Sequence, residues 1–285
     1  MLRLIQTLLA ISLLFTGFMA HSYEIEDLGD GLHRFIDDRH RSVFLITPQG
    51  AIVTDPLNKK AATWLKEQIK TRYNVPVKYV VYSHNHSDHI YGAEVFKSPY
   101  TTFVAHKLTA QDIKNTKIKT VMPNLTFDDE LILSLGGSTL KLNYHGPNDG
   151  RGSVSMLFEK QKTLFVVDWI VIGRMPWQKL WSYDIQGMIN STQAVLNYDF
   201  NTFVGGHADM GNKANVARYL RYIEQLYSQV TAGALAGQSL EQIKQNVKLD
   251  EFSDLKQYKA WLPLNIEGVY ERLMEESGMG WRSDL

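Results

Sequence analysis

The sequence contains no cysteine, which excludes disulfide bonds, thiolate metal ligands and a cysteine nucleophile. It also lacks an excess of charge of either sign, because 30 Lys and Arg residues balance 30 Asp and Glu residues. A balanced charge gives no electrostatic reason to expect nucleic acid or an anionic membrane surface as a partner. Any metal ion bound by this protein would therefore be held by histidine and carboxylate side chains.

Long apolar runs are lacking outside the first 20 residues. That first stretch, MLRLIQTLLAISLLFTGFMA, places Arg3 ahead of an apolar segment with the length of a signal peptide. Ala20 and Ser22 agree with the small residues preferred at signal cleavage sites. We predict a cleaved signal peptide over residues 1–22 and a mature protein that is periplasmic or secreted, with no membrane anchor after cleavage. A retained anchor is the alternative.

Short runs of β-branched and aromatic residues, separated by turn residues, dominate the first two thirds of the remaining chain. They predict strands at 32–36, 42–47, 51–55, 75–83, 101–105, 131–135, 138–144, 153–159 and 163–169. A helix is predicted over 58–73, because Ala61, Leu65, Ile69 and Tyr73 recur every four positions. From about residue 213 the period is helical. Without an internal repeat or linker, we predict one domain over 23–285 with a helical C-terminal tail at about 213–285.

The stretch YSHNHSDHIYG, which follows a predicted buried strand, contains His84, His86, Asp88 and His89 within six residues. In an extended loop, side chains two positions apart face the same way. We therefore expect His84, His86 and Asp88 to converge, while His89 turns toward a second point. Imidazole and carboxylate suit Zn²⁺, and a catalytic site leaves one coordination position open for water. The stretch thus predicts a site that can serve two metal ions rather than a solvated polar loop.

The pattern His-x-His-x-Asp-His at 84–89 resembles the signature of the metallo-β-lactamase superfamily. The resemblance extends over about residues 30–212. Asp168, in FVVDW, matches the family's metal-bridging aspartate, and His207, in FVGGHADMG, matches its last histidine. The resemblance implies an α/β fold, a four-layer αββα sandwich with the metal site at one edge. It also implies two Zn²⁺ per chain, with Fe or Mn as other possible metals.

One position departs from the family pattern. The family usually has a histidine in a Gly-Pro-x-His turn, where the stretch YHGPNDGRGS offers Asp149. His145 lies four residues earlier, on the order of 13 Å away along an extended strand, so the two cannot fill the same position without a changed turn. Asp149 is favoured, and His145 remains the alternative ligand. A carboxylate here weakens the Lewis acidity of the first metal and favours harder ions.

The resemblance further implies two ligand sets. The first metal would be held by His84, His86 and Asp149 or His145, and the second by Asp88, His89 and His207, with Asp168 and a hydroxide bridging them. Metal binding lowers the pKa of water from about 15.7 toward about 7, which supplies a nucleophile at neutral pH. Asp88 is the expected catalytic residue that orients this hydroxide or carries its proton.

The substrate is less well defined by the sequence. The stretch DWIVIGRMPWQKLWSYD after the predicted bridging aspartate supplies Arg174 and Trp177 as candidate contacts to a small-molecule substrate. The leading hypothesis is an exported dinuclear zinc hydrolase acting on an amide, lactone or ester, with a β-lactam among the candidates. One alternative is an iron-dependent oxidoreductase on the same fold. The other is a non-catalytic metal-binding protein of a periplasmic, quinoprotein-associated redox system. The sequence does not specify an oligomeric state.

Overall fold

The computed structural model of the protein describes residues 23–277. The predicted signal peptide at residues 1–22 lies outside the described residues. Among the helices of the described part of the chain, none combines the length and the apolar character that a membrane span requires.

Seven strands form the first sheet, and their order in space follows their order in the chain. They are β1 (Tyr23–Gly29), β2 (Leu32–Asp37), β3 (His40–Thr47), β4 (Gly50–Thr54), β5 (Val77–Val81), β6 (Thr102–His106) and β7 (Leu125–Phe127). Strands β1 to β4 pair antiparallel, whereas β4 to β7 pair in parallel. The parallel strands end at one edge of the sheet, where His84 follows β5.

Five strands form the second sheet, in the order β12-β11-β10-β9-β8. Their bounds are β8 (Glu130–Leu135), β9 (Ser138–Tyr144), β10 (Val154–Phe158), β11 (Thr163–Val166) and β12 (Thr202–Gly205). Only the last pair, β11 and β12, is parallel among these strands, with Val166 opposite Gly205. Asp168 and His207 each follow two residues later. The parallel register therefore brings these two side chains to the same edge of the sheet.

Helices cover the outer faces of both sheets. Their bounds are α1 (Lys59–Tyr73), α2 (Ser87–Ile90), α3 (Lys107–Thr116), α4 (Ile185–Val195), α5 (Lys213–Leu235), α6 (Leu240–Asn246) and α7 (Tyr258–Glu276). Asn58 begins α1, because its side chain accepts hydrogen bonds from the backbone of Lys60 and Ala61. Ser239 and Gln242 form a capping box at the start of α6.

Three layers of apolar side chains hold the sheets and helices together. The inner faces of the two sheets meet in one core, to which Leu45 of β3 and Phe165 of β11 contribute. Leu65 of α1 packs beneath the outer face of the first sheet, and Ile223 of α5 packs on the outer face of the second. The arrangement is helix, sheet, sheet, helix, which confirms the predicted four-layer αββα sandwich.

Several elements are not predicted by the sequence patterns. Strand β1 is an edge strand with little buried surface, and β7 has only three residues, so neither carries a strong apolar run. Helix α4 contains Gly187, Ser191 and Thr192, which are weak helix formers. It is stabilised by the Asp184 side chain, which accepts a hydrogen bond of 2.7 Å from the backbone of Gly187. Packing on the second sheet supplies the remaining stability.

Gly187 allows α4 to pack closely against the turn that precedes Asp149. A Cβ atom at this position would overlap the carbonyl oxygen of Pro147. We expect Gly187→Ala to lower the free energy of unfolding by about 1–3 kcal/mol, because backbone cannot move aside and overpacking outweighs the better helix propensity of alanine. Urea unfolding measures this loss. Gln186→Ala, at an exposed neighbouring position, should stay within about 0.5 kcal/mol of wild type, and equal stability of both variants would contradict the prediction.

Candidate metal centre

The His-x-His-x-Asp-His stretch is divided by a short helix. His84 and His86 lie between β5 and α2, whereas Asp88 and His89 belong to α2 itself. The prediction of an extended loop is therefore wrong for the second half of the motif. A helical turn rotates successive side chains away from the two-residue alternation of a strand. As a consequence, Asp88 does not converge with His84 and His86 and faces another group of donors.

The first donor group consists of His84, His86, Asp149 and Asp168, whose ligand atoms all lie within 4.8 Å of one another. The Nε2 atom of His84 and the Nδ1 atom of His86 are each 3.2 Å from Oδ2 of Asp168. The Nδ1 atom of His86 is also 3.8 Å from Oδ2 of Asp149. On its other ring nitrogen, His84 forms a 2.8 Å hydrogen bond with Oγ of Ser83, which orients the ring.

Asp149 and His145 occupy different environments. Asp149 is 1% exposed, and its Oδ1 accepts a 2.9 Å hydrogen bond from the hydroxyl of Ser182. His145 lies outside the donor groups, with its Nε2 atom 2.8 Å from Oγ of Ser155 and 3.3 Å from the hydroxyl of Tyr198. The turn between them thus directs Asp149 into the first group and leaves His145 bound to side chains of the second sheet and its covering layer.

The second donor group consists of His89, Asp168 and His207. The Nε2 atom of His207 is 3.1 Å from Oδ1 of Asp168 and 3.2 Å from Nε2 of His89. Its Nδ1 atom donates a 2.8 Å hydrogen bond to the carbonyl oxygen of Arg39. That bond leaves Nε2 free to bind a metal. Because Asp168 belongs to both groups, its two oxygens join the two candidate metal positions.

His40 is a donor that the sequence analysis missed. It lies at the start of β3, and its Nε2 atom is 3.2 Å from Oδ2 of Asp88. His40, Asp88 and His207 form a further group of ligand atoms within 4.8 Å. His40 stands in the turn sequence DDRHRS, where a single histidine carries no metal-binding signal. Its position 48 residues before Asp88 becomes informative only when the sheet brings the two together.

Asp168 has a strained backbone, with a φ of 70° in the left-handed region that side-chain-bearing residues rarely adopt. Such a conformation costs on the order of 1–3 kcal/mol and is concentrated at functional sites. Its carboxylate is almost fully buried among the imidazoles of His84, His86 and His207. The surrounding structure therefore holds this residue in a position set by the donor groups rather than by its own backbone preference.

The ionisable groups of the centre strongly perturb one another. Burial and the charge of Asp168 raise the pKa of Asp149 to about 8. Burial, helped by the charge of His86, lowers the pKa of His84 to about 3. For Asp168, burial alone would raise the pKa, but the charge of His89 and hydrogen bonds from three other imidazoles outweigh it and hold the pKa well below the usual value. Perturbations of this kind are typical of functional sites.

Unsatisfied buried atoms indicate that the centre fits a cation. Nε2 of His84, Oδ2 of Asp149 and Oδ1 of Asp168 are buried without a hydrogen-bond partner of good geometry. Leaving such an atom unsatisfied costs about 1–3 kcal/mol, and more for a charged group. Nitrogen and oxygen donors of this kind match Zn²⁺, and also Fe²⁺ and Mn²⁺. The residues present therefore fit the metal ions that the superfamily resemblance implies.

Asp55 lies directly behind the second donor group. It is fully buried at the end of β4, and its Oδ1 accepts a 2.8 Å hydrogen bond from the backbone of Ser83. Its Oδ2 is 3.8 Å from Nδ1 of His89. Burial raises the pKa of Asp55 to about 6, against the opposing charge of His89. The distance between the Asp55 and His89 side chains is too long for a hydrogen bond, so the two groups interact through charge alone.

A cavity of about 360 Å³ opens onto the donor groups. Asp88, Asp149 and Asp168 line it, together with the two predicted substrate contacts, Arg174 and Trp177. Trp181, from the same stretch of sequence, also lines it, and so do Arg39 and Ser182, which were not predicted. The cavity lies within the size range of small-molecule sites. The candidate metal centre is thus accessible to a small molecule.

We expect His40→Gln to weaken metal binding at the group that it forms with Asp88 and His207 by about 10–100-fold, the range typical for residues that support ligands. The variant removes the imidazole next to Asp88 while keeping a polar side chain. Competition with a chromogenic chelator measures the affinity. His145→Gln is the matched control, since it removes an imidazole outside the groups. Equal metal retention by the two variants would contradict a role for His40 in the centre.

Comparisons with known proteins show to which family this fold belongs. A family model described as the metallo-beta-lactamase superfamily matches residues 36–207. A curated relative, 2,4-dinitroanisole O-demethylase subunit alpha of Nocardioides sp. (strain JS1661), is 27% identical over 209 residues, which are 71% of this chain. The match spans 56% of that relative, so this chain corresponds to little more than half of its length.

Solved structures show the same fold at low sequence identity. A metallo-beta-lactamase from Pontibacter korlensis superposes with a TM-score of 0.65 at 19% identity, covering 71% of this chain and 99% of the other. A stereoselective inverting sec-alkylsulfatase from Pseudomonas sp. superposes with a TM-score of 0.72 at 16% identity, covering 88% of this chain and 50% of the other. The family model covers more than half of the 285 residues. The chain belongs to the metallo-beta-lactamase superfamily.

Proposed function

We propose that this protein is an exported, metal-dependent hydrolase that acts on an amide, a lactone or an ester, with β-lactams among the candidates. One observation carries the proposal: two donor groups share Asp168 and face a cavity of about 360 Å³. Paired sites of this kind are suited to attack by water on a polarised bond. The proposed export rests on the N-terminal sequence alone.

Two Zn²⁺ are the proposed cofactors, and the ligands divide between the donor groups. The first ion would be held by His84, His86 and Asp149, and the second by His89, His207 and Asp88, whose Oδ2 is 3.7 Å from Nε2 of His89. Asp168 belongs to both donor groups and could serve either ion. When bound, the ions lower the pKa of a coordinated water and polarise the bond that is cleaved. The buried position of most of these side chains excludes bulk water from the donor atoms and strengthens their interaction with the ions.

Asp88 is the proposed residue for proton transfer. Its carboxylate lines the cavity, and its side chain is 48% exposed. Burial would raise its pKa, but the hydrogen bond with His40 and the charge of His89 outweigh burial and lower the pKa. Asp88 is thus held as a carboxylate that can orient a water molecule and accept its proton. The proton can then pass to the leaving group of the substrate.

Asp149 distinguishes this proposed centre from one built with a further imidazole. A carboxylate adds one negative charge to the first ligand set, which reduces the attraction of the centre for anions. It also makes a bound ion a weaker Lewis acid and shifts the preference toward harder ions such as Mn²⁺ or Fe²⁺. We therefore propose that the protein hydrolyses typical superfamily substrates slowly, or that it acts on an activated bond.

The relatives widen the range of bonds to be tested. The curated relative is named for O-demethylation of 2,4-dinitroanisole, an aryl ether with an electron-poor ring. One structural neighbour is named for alkyl sulfates. Both of these substrates contain a carbon–oxygen single bond. Aryl ethers and sulfate esters therefore belong in the substrate panel beside lactams, lactones and esters.

A second candidate function is an iron-dependent oxidoreductase. Its support is the composition of the first donor group, in which His84, His86 and Asp149 provide two imidazoles and one carboxylate beside Asp168, which the second group shares. A two-histidine, one-carboxylate set with open positions is the ligand set of non-haem iron enzymes that use oxygen. A protein with this function would hold iron and consume oxygen during turnover.

Elemental analysis of the purified mature protein, combined with a substrate panel, tests the proposal. About two zinc ions per chain and hydrolysis that is lost after chelation and restored by zinc would support the hydrolase. About one iron per chain, together with oxygen consumption during turnover, would refute the hydrolase and support the oxidoreductase. Tightly held metal without turnover of any lactam, lactone, ester, aryl ether or sulfate ester would refute the hydrolase and favour a metal-binding protein without catalysis.

A further inference from the structure

Arg174 is a cation in the wall of the cavity that has no anionic partner. Among residues 23–277 its side chain makes no ion pair and no hydrogen bond, and its Nε atom is buried without a partner. The guanidinium instead lies over two rings, 5.7 Å from the centre of Trp177 and 5.2 Å from that of Trp261. These contacts fix its position. A partly buried charge without a counter-ion is costly, so a ligand anion would be favourable here.

The carboxylates that line the cavity are not available to neutralise Arg174. They are Asp88, Asp149 and Asp168, and each of them belongs to a donor group of the candidate metal centre. Arg39 adds a second guanidinium at the same cavity, and its ion pair with Asp38 is long, at 3.6 Å, and largely exposed to solvent. The cavity therefore retains positive charge that no lining residue compensates once the carboxylates hold cations.

Aromatic side chains form the neighbouring wall. Trp177 is 41% exposed and Trp181 is 54% exposed, although tryptophan is usually well buried. Both line the cavity, and Trp177 is held edge-on by Trp261 with 5.0 Å between the ring centres. An exposed ring that is already held in place, as Trp177 is by Trp261, binds a planar ligand at low entropic cost.

We propose that this cavity binds an aromatic anion, a planar ring that carries one carboxylate or a comparable oxyanion. The oxyanion binds the guanidinium of Arg174, and the ring packs against Trp177 and Trp181. A guanidinium presents a planar fork that matches a carboxylate with two parallel hydrogen bonds. The cavity volume of about 360 Å³ favours a compact ligand. This inference deepens the proposed function by naming its substrate class. Binding of the aromatic anion does not depend on the proposed hydrolysis, whereas the identity of the bond that reacts does.

Binding of 4-nitrobenzoate and of its uncharged counterpart 4-nitrobenzamide to the metal-loaded protein tests the inference by calorimetry. We expect the benzoate to bind at least about tenfold more tightly, as a hydrogen-bonded charge pair implies. Arg174→Met should bring the two affinities to near equality, because methionine keeps apolar contact with the rings and removes the charge. Arg221→Met, which removes an exposed arginine of α5, should leave the preference unchanged. Trp177→Leu should weaken both ligands alike.

Equal affinity of the wild-type protein for the two ligands would overturn the inference without the need for a variant. A benzoate preference that persists in Arg174→Met would overturn it as well, since the anion would then bind the metal ions directly. Hydrolysis is measured separately with neutral esters, lactones and lactams. A benzoate preference that depends on Arg174, without any turnover, would refute the proposed hydrolase and leave this inference standing. Turnover without a benzoate preference would support the hydrolase and overturn this inference.

Discussion

Asp168→Ala is expected to lose metal from both donor groups and to abolish metal-dependent turnover. The two oxygens of Asp168 lie 3.1–3.2 Å from the ring nitrogens of His84, His86 and His207, so one carboxylate serves both candidate positions. Loss of a residue that only supports a ligand weakens metal binding by about 10–100-fold, and loss of a shared ligand should weaken it by at least the upper end of that range. Elemental analysis after dialysis against a weak chelator measures the loss.

Asp209→Ala is the matched control for Asp168→Ala. Asp209 is an exposed carboxylate near His207, and it pairs with Lys256 rather than with any donor group. This variant should keep wild-type metal content and a wild-type unfolding transition. Asp168→Ala should also remain folded, because the apolar layers that hold the sheets and helices together are untouched. Its unfolding transition should be lower than that of the control, since alanine tolerates the left-handed backbone of this position less well than aspartate does. Full metal retention by Asp168→Ala would show that the two groups do not share a ligand.

Asp149→Ala is expected to remove metal from the first donor group while the second group keeps its metal. Among the described residues, the first group contains His84 and His86 from the 84–89 stretch, Asp168, which the second group shares, and Asp149. Asp149 is thus the one donor from elsewhere in the chain that serves the first group alone. Its loss leaves His84 and His86 with a carboxylate that the second group also uses, so the first group keeps only two ligands of its own and should bind its metal more weakly. Titration of the metal-free protein with Co²⁺, followed by absorbance, should show one site instead of two.

Two further variants determine which residue fills the turn position. His145→Ala should retain both metals, because its imidazole is bonded to Ser155 and Tyr198 and does not face the donor groups. Asp149→His should retain two metals and raise hydrolysis of neutral esters, since imidazole leaves the bound ion a stronger Lewis acid. If His145→Ala loses metal and Asp149→Ala retains it, the assignment of Asp149 to the centre is wrong.

Local sequence patterns are sufficient to predict many of the strands and helices, because the spacing of apolar residues in each segment shows which of its faces is buried. Strands β2, β3 and β9 and helix α1 carry apolar residues at the spacing of their own secondary structure, and they form where predicted. The patterns fail at β1, β7 and α4, whose stability comes from neighbours. Helix α4 is a clear case, since Gly187 is unfavourable in an isolated helix and is required by its contact with Pro147.

The candidate site shows the same division. His84, His86, Asp88 and His89 are recognisable because they lie within six residues, and the resemblance to the superfamily leads from them to Asp168 and His207. Their distribution over two donor groups was implied by that resemblance, whereas the argument from an extended loop failed at α2. His40 could not be found in this way, since an isolated histidine in a turn has no pattern.

The sequence by itself determined the short motif, because this motif depends on spacing within a single segment. The resemblance that the motif carries implied the superfamily and the layered fold. Tertiary structure alone decided that Asp149 rather than His145 faces the donor groups, that His40 joins Asp88, and that Arg174 lies unpaired beside exposed tryptophans. Those relations join residues from different strands and loops. They exist only after the two sheets have packed, since contact between distant segments depends on the register and curvature of the whole sandwich.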